Sequence, residues 1–122
     1  MTGAVLFAGP DFRALECGEA DIPALQRFLE ENPEYFLSVF GEGPHPGQAR
    51  EEFEELPPPD FAYERKWTIR FVDDGGAMLA WADVVSELPA PGVWHVGLFI
   101  VATRLHGSGE AEALLDALER WV

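Results

Sequence analysis

Apolar residues recur at helical spacing in the first half of the chain and at strand spacing in the second. Residues 12–16 can form a short opening strand. Ile22, Leu25, Phe28 and Leu29 then share one helical face, behind Asp21 as N-cap and with Pro23 tolerated in the first turn. Asn32-Pro33 stops this helix, because the residue before a proline is pushed out of the α region. Residues 34–40 predict a second short helix carrying Tyr35, Phe36, Val39 and Phe40, and residues 41–47 a loop. Residues 48–56 predict a third helix, with Ala49, Phe53 and Leu56 inward and Glu51, Glu52, Glu54 and Glu55 mostly outward, ended by three prolines.

The period then becomes two. Residues 65–72 alternate, with Trp67, Ile69 and Phe71 on one face and Lys66, Thr68 and Arg70 on the other. Asp73-Asp74-Gly75-Gly76 predicts a hairpin turn into a central strand over 77–85. A proline-rich connection, 88–92, leads to residues 93–101, apolar on both faces as in a strand covered on both sides. A turn and a final helix follow. The predicted order is strand, helices, three strands, helix.

A chain of 122 residues that is 48% hydrophobic and 12% aromatic is one globular domain with a real core. The net charge of −14 argues against nucleic acid and anionic membrane as partners. It suits a cationic substrate such as an amine, although an acidic surface also simply serves solubility. The lone Cys17 excludes an intrachain disulfide and fits a reducing compartment and a buried apolar role. Residues 1–10 lack a basic leader and no apolar run reaches membrane-spanning length, so a cytoplasmic location is expected. His45, His95 and His106 have no metal-ligand spacing with Cys17 or with one another. No nucleophile elbow supports serine hydrolase chemistry.

Most of the chemistry lies in residues 93–122, where a strand runs through a glycine-containing turn directly into a helix. Backbone amides in such a turn, backed by the positive end of a helix dipole, suit a phosphate group. No Lys-Ser/Thr pair follows the glycines, so the segment is not a P-loop, and G-x-G-x-x-G is missing as well.

His106-Gly107-Ser108-Gly109-Glu110-Ala111, after an apolar strand ending in Val101-Ala102-Thr103, resembles the acetyl-CoA-binding motif of the GCN5-related N-acetyltransferases, Gln/Arg-x-x-Gly-x-Gly/Ala. Arg104-Leu105-His106-Gly107-Ser108-Gly109 fits the bare pattern too but places the helix less well. The resemblance implies an α/β fold of the acyl-CoA N-acyltransferase type with a mixed sheet, here ending after the motif helix, whereas the family continues with a strand, a helix and a final strand pair. It implies acetyl-CoA as cofactor and transfer of an acetyl group to a small amine. It places the cofactor against Phe99, Val101, His106, Gly107, Ser108, Gly109 and Ala111. It makes His95 a candidate general base, with Asp83 and Glu87 as alternatives. A bulge at Gly97 would turn the amides of Phe99 and Val101 out of the ladder; the alternative is that Gly97 relieves packing against Trp81 or Trp94. Glu110 stands where the family has an apolar residue, and Glu110 and Glu112 bring carboxylates to the first helical turn. Without the family's next strand, residues 93–101 form a sheet edge, and a homo-oligomer covering that edge is expected. The second reading is a noncatalytic domain of the same fold that serves self-association or protein binding.

Overall fold

A computed structural model describes residues 4–88 and 90–122. Met1 to Gly3, in the expected leaderless start, and Pro89, in the expected 88–92 connection, lie outside the described residues. The chain forms β1 (Val5–Ala8), β2 (Arg13–Glu16), α1 (Ile22–Glu31), α2 (Glu34–Phe40), α3 (Gln48–Glu54), β3 (Arg65–Val72), β4 (Met78–Ser86), β5 (Trp94–Val101) and α4 (Glu110–Trp121), with one-turn 3-10 segments at Glu19–Asp21 and Thr103–Leu105. The five strands make one sheet in the order β1-β2-β3-β4-β5.

The α/β class stands, but every strand pairing among the described residues is antiparallel where a mixed sheet was expected. β1 was not anticipated. It pairs with β2 across a tight turn in which Gly9 N–H donates to the Phe12 carbonyl. A Cβ on Gly9 would lie 2.3 Å from the Phe12 ring, so any larger residue there requires that ring to move.

Alternation along β3 sends Trp67, Ile69 and Phe71 toward α4. Trp121 at the end of α4 stacks on Phe7 at 5.4 Å and meets Trp67 and Trp94 edge-on at 5.1 and 5.6 Å. The opposite face, which carries Lys66, Thr68 and Arg70, is covered by α1 and α3. Thr68 and Asp83 are buried there and Lys66 and Arg70 largely so, with Lys66 3.8 Å from Asp83. Asp21 occupies the N-cap position of α1, yet its carboxylate accepts from Gly18 N–H and faces Arg70 at 3.7 Å rather than capping the helix.

Two further expectations change. α3 ends at Glu54, and Leu56 is 61% exposed rather than inward. β5 is buried only from Leu98 onward, and its first half, including His95, Val96 and Gly97, is exposed. Among the described residues β5 pairs with β4 alone and forms the sheet edge. No helix among them is long and apolar enough to cross a membrane.

Candidate functional site

The site is organised by an irregularity in β5. Asp83 opposes Leu98, but Val84 opposes Val96, so Gly97 is an extra residue in the ladder and forms a bulge. A Cβ there would touch only the His95 ring, at 3.7 Å, so Gly97 does not relieve packing against Trp81 or Trp94. Beyond the bulge, Ala102 N–H donates to the Leu79 carbonyl at 2.8 Å, which makes Ala80–Val101 a pair that exchanges no hydrogen bonds. Alternation gives the same to Ala82–Phe99. The N–H groups of Phe99 and Val101 therefore face the open edge.

From Val101 the chain passes through the Thr103–Leu105 turn into His106–Gly109. Gly107 and Gly109 both hold left-handed φ, +80° and +87°, and Gly109 is the N-cap of α4. Ser108 Oγ donates to the Leu105 carbonyl at 2.6 Å and accepts from Glu110 N–H at 3.2 Å, so its hydroxyl fastens the turn instead of standing free for a ligand. The Ala111 and Glu112 amides have no helical partner. His106 Nε2 lies 3.0 Å from the Val101 carbonyl and donates to it. Its expected N–H toward a phosphate is thereby engaged, and only a protonated ring offers a second.

Phe99, Val101, His106 and Ala111 line one cavity of about 460 Å³, closed by Asn32, Glu34, Tyr35 and Ser38. The His106 register of the turn is the one that faces this cavity; Arg104 turns to other sides of the molecule. Thr103 Oγ1 donates to Glu34, which holds that carboxylate below its ordinary pKa, with His106 adding a weaker pull. Glu110 lines a different cavity, on the far flank of α4 with Asp11, Asp73 and Arg104. It does not point into the space between β5 and the turn.

A second cavity, about 390 Å³, opens on the other side of the bulge. Asp83, His95, Gly97 and Leu98 line it together with Glu52, Glu55 and Lys66. Two of the three candidate bases meet there. His95 is exposed, whereas Asp83 is 7% exposed. Burial pushes the Asp83 carboxyl above the ordinary aspartate range, while Lys66 Nζ, 3.8 Å away, and the Trp81 Nε1–H bond at 2.9 Å oppose that shift. Burial also raises Glu52 on the wall of the same cavity. Glu87 is not brought there. Its φ is +58°, and its carboxylate accepts from Gly92 N–H and Trp94 Nε1–H, both at 3.1 Å, to lock the loop before β5.

Sequence reasoning missed Tyr35 and Asn32 on one side and Lys66, Glu52 and Glu55 on the other. Tyr35 reads as part of an apolar stripe, and the glutamates read as a solvated helix face. Cys17 is buried and its thiol is pushed up to about 12, chiefly by burial, so it is no nucleophile.

No family model and no curated protein matches the sequence. Among solved structures, a GCN5-related N-acetyltransferase (GNAT) from Kribbella flavida superposes with a TM-score of 0.56 over 90% of this chain, at 23% identity. The fold is GNAT-like. This chain spans 64% of the length of that GNAT structure.

Proposed function

We infer that the chain is an acyl-CoA-dependent N-acyltransferase, with acetyl-CoA as donor and a small amine as acceptor. The observation that carries this reading is the pair of outward amides of Phe99 and Val101 on β5, just beyond the Gly97 bulge, beside the left-handed turn and the N-terminus of α4. The residues fit such a donor. Phe99 and Val101 N–H groups suit the amides of a pantetheine arm, and the Ala111 and Glu112 amides at the helix start suit a pyrophosphate. Glu110 points to the other flank of the helix, which lessens its conflict with an anion. When bound, the cofactor supplies an acetyl thioester.

The chain's own residues supply the rest. Glu52, Glu55 and Asp83 attract an ammonium into the second cavity. The amine must lose a proton before it attacks, and Asp83 Oδ2 is the acceptor best matched to that step. Its other oxygen is occupied by Trp81, and its raised pKa lies nearer to neutral operating conditions than that of a solvated aspartate. His95, on the exposed rim, is the alternative relay to solvent.

The reading is tested by screening primary amines for release of free CoA with a thiol reagent. Buried Cys17 keeps the background low. Turnover that saturates in both substrates is the expected result. Saturable acetyl-CoA binding without turnover for any amine supports a binding protein, and absence of both supports the interaction module.

A further inference from the structure

The geometry points to a second binding site, for a small anion bearing a phosphate or carboxylate group, in the cavity between α1, the β3–β4 hairpin and the end of β5. This cavity measures about 730 Å³. Arg27 from α1, Arg70 from β3 and Arg104 from the turn after β5 converge on it, three of only eight basic residues in a chain with 22 acidic ones. In so acidic a chain, basic side chains readily find carboxylates, as Arg50 does with Glu19 and Glu54 and Arg65 with Glu16. The Arg27 and Arg104 side chains form no ion pair or hydrogen bond among the described residues.

Arg70 is the deepest of the three. Its side chain is 15% exposed, its Nε is buried without a hydrogen-bond partner, and its nearest carboxylate, Asp21, stands off at 3.7 Å. Asp21 also accepts from Gly18 N–H, so its charge is shared. A largely buried guanidinium with no carboxylate at hydrogen-bond distance is matched by an oxyanion, whose planar or tetrahedral oxygens accept from its terminal N–H groups. Glu31 is the one acidic residue on the cavity wall. Phe28, Ala77, Met78 and Ala102 complete the lining, which suits a short apolar body behind the anionic head.

The site is distinct from the donor cavity beside His106. The two linings share only Asn32. Its Nδ2–H donates to the Phe28 carbonyl and its Oδ1 accepts from Thr103 N–H, both at 2.8 Å, so the side chain is a fixed partition. The inference does not depend on acyl transfer.

The full chain, labelled with ¹⁵N, would be titrated at constant ionic strength with inorganic phosphate and separately with butyrate. Saturable shifts of the Gly76, Ala77 and Thr103 amides with at least one anion are expected, retained in the presence of acetyl-CoA. A double variant, Arg27→Gln with Arg104→Gln, removes two exposed side chains and should leave the fold intact while weakening the anion at least about tenfold. Phosphate alone or butyrate alone would identify the head group. The proposal is overturned by absence of saturation with both anions in the tens of millimolar, by equal affinity in the double variant, or by displacement of the anion by acetyl-CoA.

Discussion

Replacing Lys66 with methionine removes a charge on which two parts of the cavity beside Asp83 and His95 depend. Lys66 Nζ donates to the carbonyls of Glu52, Phe53 and Glu55, which end α3 without helical partners, and lies 3.8 Å from Asp83. The bond to Glu55 is exposed and water can replace it, whereas those to Glu52 and Phe53 are partly buried. Counting only the latter two, at about 1.5 kcal/mol for each bond to a charged group, gives a loss of about 3 kcal/mol. Methionine keeps the volume, so little cavity cost is added. In a domain of this size the loss corresponds to a Tm roughly 10 °C lower.

The loss should also depend on pH. The folded-state pKa of Asp83 is raised, so the group is neutral in both states at low pH and its folded form is penalised as pH rises above the unfolded value. Lys66 offsets part of that penalty. Urea unfolding at about pH 4.5 and about pH 8 should therefore show the larger Lys66→Met destabilisation at the higher pH. A loss below about 1 kcal/mol at the higher pH, or the same loss at both, would refute the reasoning.

Asp83→Asn keeps an oxygen for Trp81 Nε1–H and should fold, while kcat falls about a hundredfold or more and acetyl-CoA affinity holds; steady-state kinetics with unchanged kcat would shift the base to His95. Gly109→Ala forces a Cβ onto a residue at φ +87° and should cost about 1 kcal/mol in denaturant unfolding and weaken acetyl-CoA in calorimetry. Gly97→Ala, by contrast, should cost less than about 1 kcal/mol, since the new Cβ meets only the His95 ring at 3.7 Å. The outward groups of β5 should draw a second chain in the absence of ligand, so light scattering should report a dimer or larger; a monomer at every protein and salt concentration would reject that.

Much of the frame is legible because it is locally encoded. The stripe from Ile22 to Leu29 and the alternation in β3 and β4 each bury one defined face, and a glycine inside an apolar strand marked the bulge. β1 escaped notice because four residues before Gly9-Pro10 owe their strand to β2, not to their own pattern. Leu56 was misplaced because helical spacing alone extended α3; the residue before Pro57 is pushed to extended geometry, and the helix stops short of it.

The site was less legible. Lys66, Thr68 and Arg70 read as the polar side of an alternating strand, yet they are covered by α1 and α3, and Lys66 reaches Asp83 and the carbonyls that end α3, which no local period encodes. The turn was found, but the roles within it were not fully read. Ser108 bonds to the turn's own backbone, His106 to the last carbonyl of β5, and Glu87 is committed to its loop. The arginine cavity draws on three separated segments and has no sequence signature.

The central claim is that the bulged edge of β5 and the glycine turn form an acyl-CoA site, and calorimetric titration of the full chain with acetyl-CoA tests it most directly. The account predicts saturable binding near one ligand per chain, weakened in Gly109→Ala. Absence of binding at millimolar ligand would contradict it and leave a GNAT-like fold put to another use.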